Sequence, residues 1–107
     1  MDEEHKKLRF LVRTLAAEEF GLFFDLPIKL NSRLKRTLGR IVYKKDREKI
    51  MPLRMELSPV LLDDSTRLRK TILHELAHWY LMINGKDYKH RSAEFKNLSN
   101  KYEFDRD

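Results

Sequence analysis

Apolar residues recur along this chain with two different spacings, and the spacing changes after the first twenty residues. In the first segment, four apolar residues lie three or four positions apart, on one face of an α-helix: Leu8, Leu11, Val12 and Leu15. The acidic letters DEE at the start suit the positive end of a helix dipole, and Gly21 is a suitable residue to end a helix. The pattern therefore predicts an amphipathic helix over residues 3–20.

An alternating pattern follows in three short segments, LPIKLN, GRIVYKK and IMPLRMELS, and alternation is typical of strands. In the third segment four apolar residues are predicted to share one face: Met51, Leu53, Met55 and Leu57. The charged letters KKDREK between the second and third segments suit a hairpin turn. Pro52 cannot donate a ladder hydrogen bond, so its end of the third strand is predicted to lie at a sheet edge.

Two more helices are predicted in the second half of the chain. Residues 63–66 read DDST and offer several caps for a long helix that runs until Asn84 and Gly85. Behind Ser92, three residues return at roughly helical spacing: Phe95, Leu98 and Tyr102. One helix, three strands and two further helices predict a single α+β domain over residues 1–107.

The long second helix carries polar residues where a buried helix should be apolar, in the stretch ILHELAHWYLMING. His74 and His78 lie one turn apart on the same face. An apolar stripe lies on another face: Leu68, Ile72, Leu76, Trp79 and Ile83. Two unpaired imidazoles in such a helix would lose hydration without compensation. A divalent metal ion would satisfy both, since side chains at i and i+4 converge on one ion and neutral imidazole suits zinc.

The letters HELAH form the His-Glu-x-x-His arrangement of zinc hydrolases, with Glu75 beside the pair. The competing interpretation is a pair of satisfied core histidines without a metal. A third ligand from a following segment is expected, and His90 and Glu94 are the two candidates. The metzincin subclass is excluded, because Leu81 and Asn84 stand where it needs glycine and histidine. His5, alone near the N-terminus, is interpreted as a surface histidine.

The composition of the chain limits the kinds of protein and the cellular compartments that fit it. The chain has 107 residues and no run approaching the ~20 apolar residues that span a bilayer, so one soluble domain is expected. It contains no cysteine, which excludes disulfides, thiolate zinc ribbons and cysteine nucleophiles and favours the reducing cytoplasm. The N-terminus lacks the pattern of a secretion signal, so no export is expected.

Basic residues exceed acidic residues by 23 to 17, a net charge of +6 that favours contact with polyanions. The excess is concentrated in RLKRTLGR and YKKDREK, residues 33–40 and 43–49. The candidate contacts for non-specific DNA binding are Arg33, Lys35, Arg36, Arg40, Lys44 and Lys45. The alternative is an ordinary solvated basic face.

The segment from about Leu30 to Phe95 resembles the SprT-like family of zinc metalloproteases, which includes bacterial SprT proteins and the catalytic domain of Spartan proteases. The resemblance rests on LNSRLKRTLGRI, MELSPVLL, LRKTILHELAHWYL and HRSAEF, in the order of the family. It implies a zincin-like fold. Many members of the family also carry a cysteine-based zinc ribbon, which is not expected here because the chain has no cysteine and ends at KYEFDRD. It also implies that Zn²⁺ is bound by three histidines and that the glutamate is the catalytic base: His74, His78, His90 and Glu75.

The expected function is that of a cytoplasmic, monomeric zinc endopeptidase that uses a zinc-activated water and acts on DNA-bound or DNA-crosslinked proteins. The alternatives are a zinc hydrolase of a non-peptide substrate and a nucleic-acid-associated accessory domain with little activity. An oxyanion donor is expected among Tyr80, Tyr88, Tyr102 or an arginine. By analogy with zincin proteases that it resembles, an extended peptide substrate is expected to pair with the edge of the third strand, which ends in MELS before the metal helix.

Overall fold

A computed structural model of the protein describes residues 3–104. Its elements, in chain order, are α1 (Glu3–Phe20), β1 (Ile28–Leu30), β2 (Gly39–Asp46), β3 (Lys49–Leu57), α2 (Ser65–Ile83) and α3 (Ala93–Tyr102). A short 3₁₀ turn, Pro59–Asp63, joins β3 to α2. The predicted α+β architecture, with three helices and one three-stranded sheet, is confirmed. Asp2, part of the acidic start predicted for the first helix, lies outside the described residues.

Local signals define both ends of α2. The Asp64 side chain caps its first turn by accepting a hydrogen bond from the backbone N–H of Arg67. At the other end Gly85 has a φ of +67°, a conformation that costs glycine little, and its N–H donates to the carbonyl of Met82. The chain leaves α2 sharply there and turns back along it toward α3. Among the described helices, none is both long and apolar enough to cross a lipid bilayer.

The strand order is β1-β3-β2, so β3 is the central strand. β1 runs parallel to β3 and pairs only with its last three residues, 55–57, whereas β2 runs antiparallel along all of β3. Pro52 lies in the half of β3 that β1 does not cover, and its predicted edge location is confirmed. The expectation that a substrate pairs with β3 as an edge strand is wrong, because β3 is central and its residues 55–57 already pair on both sides. The outermost strand on the other side of the sheet is β2.

A bulge divides β3 into two halves. The register with β2 shifts after Val42, and Leu53 has no opposite residue. One extra residue in a strand inverts the alternation between the two faces of the sheet. Met55 and Leu57 are buried, but Met51 and Leu53 are 42% and 41% exposed. The prediction that all four share one buried face is therefore wrong for the two residues on the far side of the bulge.

The core lies between α2 and the inner face of the sheet, with α1 and α3 packed on α2. Fully buried side chains come from every part of the described chain: Val12, Phe24, Met55, Leu57, Leu61, Ile72, Leu76 and Phe95. Trp79 of α2 meets the Phe24 ring edge to face, with centroids 4.9 Å apart. The apolar stripe predicted on α2 is buried except at Ile83, which is 46% exposed at the end of the helix.

Candidate metal centre

Three histidine side chains converge beside α2. His74 and His78 come from successive turns of the helix, and His90 reaches them from the turn before α3. The Nε2 atoms are 3.2 Å apart for His74 and His78, 3.0 Å for His74 and His90, and 2.9 Å for His78 and His90. A neutral imidazole carries a single N–H, so three mutually facing nitrogens cannot all be satisfied by hydrogen bonds among themselves. A cation would satisfy all three lone pairs at once.

The spacing of this cluster fits a metal ion. Two nitrogen ligands of a tetrahedral zinc ion, each at about 2.0–2.1 Å, are separated by about 3.3–3.4 Å. The distances between the imidazole nitrogens, 2.9–3.2 Å, are close to that separation. The three residues are thus a group that could hold a metal ion.

The ring of His78 is oriented by the backbone. Its Nδ1 lies 2.6 Å from the carbonyl oxygen of Tyr88, so the Nδ1–H donates there and the Nε2 lone pair faces the other two histidines. Burial, reinforced by the neighbouring His74 and His90, lowers the pKa of His78 to about 3. The ring is consequently neutral at pH 7, which is the form that binds metals.

Phe95 holds the cluster from the side of α3. Its fully buried ring stacks on His78 with centroids 4.4 Å apart, and it meets His74 and His90 edge to face at 5.1 Å. The sequence pattern predicted Phe95 only as an apolar residue of the last helix. Its contact with all three imidazoles could not be predicted from helical spacing alone.

His90 lies in a turn, two residues before the helix cap Ser92. The Ser92 hydroxyl accepts a hydrogen bond from the N–H of Phe95 and donates one to the carbonyl of Asp87. These bonds tie the loop that carries His90 to the start of α3. Glu94, the other candidate ligand, is exposed in the first turn of α3 and does not belong to the histidine cluster.

Glu75 lies beside the histidines and is 4% exposed. Its Oε2 atom is 3.9 Å from Nε2 of His74. Burial raises the pKa of Glu75 to about 8, against the opposing effect of a hydrogen bond from the backbone N–H of Ile41. The site thus contains a buried carboxyl group with a raised pKa next to a group that could hold a metal ion.

Gly39, at the start of β2, allows the strand to approach Glu75. A Cβ atom built there would lie 3.0 Å from side-chain atoms of Leu57 and Thr71 and 3.2 Å from Cγ of Glu75. Any larger residue would have to displace these neighbours. No role was predicted for Gly39 from its position in the chain, although a glycine at the start of a strand pattern is a signal of close backbone approach.

Of the three candidate tyrosines, only Tyr88 lines the cleft that contains the histidines. Tyr80 packs against the ring of Phe20 with centroids 5.3 Å apart, and the Tyr102 hydroxyl donates to a backbone carbonyl of α1. The Tyr88 hydroxyl lies 3.3 Å from the hydroxyl of Tyr43 on β2 and donates a hydrogen bond to it. This contact joins the loop before α3 to the outermost strand of the sheet.

The cleft has a volume of about 750 Å³ and lies between α2, β2 and the loop that carries His90. Its apolar lining comes from Leu38, Ile41 and Met82. Five basic residues also line it: Arg36, Arg40, Arg67, Lys70 and Lys89. Arg40 is engaged on the sheet, where its guanidinium lies 2.7 Å from a carboxylate oxygen of Glu56.

The six basic residues predicted to contact DNA are all exposed, and two of them, Arg36 and Arg40, line the cleft. Their exposure is compatible both with a polyanion contact and with a solvated basic face. His5, interpreted as a surface histidine, lies on α1 with intermediate burial and is not part of the histidine cluster.

A model of the SprT-like family matches residues 8–105 of this chain. Three similar proteins are each named "Protein SprT-like" and come from the JH9, Newman and JH1 strains of Staphylococcus aureus. Each is 38% identical over 93 residues, which is 87% of this chain and 58% of the relative. The chain therefore spans well under two thirds of the length of these relatives. No solved structure matches the chain significantly.

Proposed function

This chain belongs to the SprT-like family, and we propose that it is a zinc-dependent endopeptidase with a zincin-like fold. The observation that carries the proposal is the convergence of three imidazole Nε2 atoms within 3.2 Å of one another, beside a buried glutamate. In this proposal His74, His78 and His90 hold Zn²⁺, and Glu75 is the catalytic base.

The bound ion supplies a Lewis acid that polarises a peptide carbonyl and lowers the pKa of a water molecule. Glu75 accepts a proton from the attacking water and later donates it to the departing amine. The location of Glu75 supports this role, because it is buried beside the histidines with its Oε2 atom 3.9 Å from Nε2 of His74. The N–H of Ile41 keeps the carboxyl group oriented while it exchanges that proton.

Tyr88 is the proposed donor to the oxyanion that develops on the carbonyl. Two observations support it: Tyr88 lines the cleft, and its backbone carbonyl accepts the hydrogen bond that orients His78. Its hydroxyl is already a hydrogen-bond donor, to Tyr43 on β2. The hydroxyl would exchange that partner for the oxyanion during the reaction.

An extended peptide would bind along β2. This strand is the outermost of the sheet on that side, and Gly39, Ile41 and Tyr43 line the cleft. A strand edge offers backbone hydrogen-bonding groups to an extended peptide and positions it without regard to its sequence. Pairing with β2 replaces the earlier expectation of pairing with β3.

Action on DNA-bound or DNA-crosslinked proteins in the cytoplasm, by a monomer, belongs to the same proposal. Five of the six predicted DNA contacts are exposed and make no ion pair within residues 3–104, whereas Arg40 is held by Glu56. DNA affinity is therefore expected to fall steeply between low and physiological salt, because phosphate contacts release counterions. Fluorescence anisotropy with a labelled oligonucleotide measures this, and a salt-independent affinity would contradict the DNA contact.

The decisive experiment combines metal analysis with proteolysis. The purified, reconstituted protein is expected to hold close to one zinc ion per chain and to cleave casein, and a chelator should stop cleavage until zinc is restored. His74→Ala should lose zinc and activity together, while the matched control His5→Ala should keep both. A folded, reconstituted sample without zinc would overturn the proposal.

The third ligand is tested by comparing two substitutions in neighbouring turns. His90→Ala is expected to shed zinc, while Glu94→Ala should retain it with near-normal affinity, because Glu94 is not part of the histidine cluster. The reverse result would reassign the site to two histidines and a glutamate.

A further inference from the structure

The mouth of the cleft carries four exposed basic side chains: Arg36, Arg67, Lys70 and Lys89. None of them forms an ion pair with a carboxylate within residues 3–104. Arg40, the fifth basic residue of the cleft, differs because Glu56 neutralises it. Glu75 is the one acidic residue among the described side chains that line the cleft, and it lies at the catalytic centre proposed above.

These cations lie on both sides of the histidine cluster. Lys70 and Arg67 precede His74 by four and seven positions on the same stripe of α2, which places them about 6 Å and 10 Å from it along the helix axis. Arg36 lies three residues before Gly39, which packs against this part of α2. Lys89, next to the third histidine in the chain, lies on the other side.

Such an arrangement attracts anions. Uncompensated charges of one sign around a concave site focus the electric field and raise the local concentration of oppositely charged ligands. Each exposed ion pair contributes little by itself, but several cations here act on one bound ligand. An anionic ligand in this cleft would therefore bind more tightly than a neutral ligand of the same shape.

We propose that the cleft selects peptide segments that carry glutamate or aspartate side chains, an inference that rests on the proposed endopeptidase function. The rest of the cleft favours a peptide over a nucleic acid. It offers an outer strand edge for an extended backbone and apolar side chains, Leu38, Ile41 and Met82, for the remainder of the peptide. Of the residues proposed for DNA contact, Arg36 and Arg40 line the cleft, whereas Lys44 and Lys45 do not, so the DNA contact and the acidic-peptide site share Arg36.

The test is a binding measurement on the zinc-loaded Glu75→Gln variant, which is expected not to cut its ligand. Fluorescence anisotropy would compare an acidic labelled peptide with a counterpart in which every glutamate is replaced by glutamine. The acidic peptide is expected to bind about tenfold more tightly at low salt, with a smaller ratio at physiological salt. Repeating the comparison with the active protein should give a similar ratio of kcat/KM values.

Charge reversal identifies the residues responsible. Arg67→Glu and Lys70→Glu, introduced together into the Glu75→Gln variant, should abolish its preference for the acidic peptide. Both positions tolerate glutamate, because they are exposed in the first two turns of α2, near the positive end of the helix dipole. The matched control, Lys6→Glu with Lys7→Glu, changes the net charge equally on exposed positions of α1 and should keep the preference.

Three results would overturn the inference. One is equal binding of the acidic and glutamine peptides, and another is equal loss of the preference in the Lys6 and Lys7 control. The third is a single-stranded oligonucleotide that displaces the acidic peptide and depends equally on Arg67 and Lys70, which would make the cleft a nucleic-acid site. If the preference persists but the zinc-loaded protein cuts no peptide, the selection of acidic ligands stands and the endopeptidase proposal fails.

Discussion

Glu56 and Glu75 are both buried, with 6% and 4% exposure, yet their pKa values shift in opposite directions. Glu56 lies on the outer face of the sheet and accepts hydrogen bonds from Arg54 at 2.8 Å, Arg40 at 2.7 Å and Asn31 at 3.0 Å. These partners, Arg54 above all, lower the pKa of Glu56 to about 2 despite its burial. Its charge is fully compensated in the folded protein.

Glu75 lies on α2 and faces the inner side of the sheet, where burial raises its pKa to about 8 and the hydrogen bond from the N–H of Ile41 opposes that shift. The comparison shows that burial alone does not indicate the role of a carboxylate, because its partners decide which form is favoured. A carboxylate held by two arginines contributes to stability. A buried carboxyl group without a cationic side chain bonded to it has its pKa raised instead.

The largest expected effect separates the two glutamates by activity. Glu75→Gln should lower zinc-dependent casein cleavage by at least ~10²-fold, the scale of removing a general base, while fold and zinc content persist. Glu56→Gln should change the rate per folded, zinc-loaded molecule by less than about twofold, because Glu56 does not line the cleft. A Glu75→Gln variant as fast as the original protein would refute the assigned role.

Replacing Glu56 should affect the stability of the fold rather than the activity. Glu56→Gln is expected to lower the free energy of unfolding by about 2–3 kcal/mol at pH 7, because charge-assisted hydrogen bonds are lost and two neighbouring arginines keep their mutual repulsion. Urea denaturation measures the change, and exposed Glu94→Gln serves as the matched control, with an expected effect within about 0.5 kcal/mol. A loss for Glu56→Gln as small as that of the control would mean that the arginines do not stabilise the sheet.

The contribution of Glu56 to the free energy of unfolding should also depend on pH, and this change is expected to be somewhat smaller than the effect of Glu56→Gln at pH 7. The pKa of Glu56 is about 2 in the folded protein, below its ordinary value of 4.5, so between these values the unfolded chain binds the proton more readily. The stabilisation is therefore complete above about pH 5 and is lost as the pH falls through 4.5 toward 2.

Between pH 7 and pH 3, the difference in unfolding free energy between the original protein and Glu56→Gln should shrink by about 1–2 kcal/mol. This range allows for solvent screening of the arginines, whose side chains are 49% and 36% exposed. Denaturation curves at both pH values provide the measurement. A difference independent of pH would show that the pKa of Glu56 is not lowered by folding.

The smallest expected effect concerns Gly39, which allows β2 to reach Glu75. Gly39→Ala should cost about 1–2 kcal/mol of stability through overpacking and should also slow casein cleavage per folded molecule, because the new methyl group would press on Glu75. Gly21→Ala is the control: its cost, about 1 kcal/mol, comes from the positive φ of +66°, and it should leave cleavage unchanged. Equal activity in the two variants would show that Glu75 does not depend on this close approach.

Local sequence determined the helices and the hairpin. Capping residues such as Asp64 and Ser92 satisfy backbone groups within the next turn, so their effect does not depend on the rest of the molecule. The pairing of His74 with His78 likewise follows from helix geometry, which brings residues four apart onto one face. These features were confirmed because the contacts that produce them span only a few residues.

Tertiary structure decided what depends on distant segments. The central position of β3 and the bulge at Leu53 arise from pairing with strands elsewhere in the chain, and alternation within β3 alone predicted a single face. His90 joins the cluster because the loop after α2 folds back along it, a path that the residues NGKDYK allow but that is set by the packing of the loop on α2.

The contrast between the two glutamates is the clearest case of this division. In the sequence, Glu56 and Glu75 are each a single acidic residue in an apolar stretch. Asn31 reaches Glu56 from 25 positions away, and the strand that approaches Glu75 begins at Gly39, 36 positions before it. A pKa depends on which charges, dipoles and solvent surround a group after the chain has folded, so only the packing of these distant segments lowered the pKa of Glu56 and raised that of Glu75.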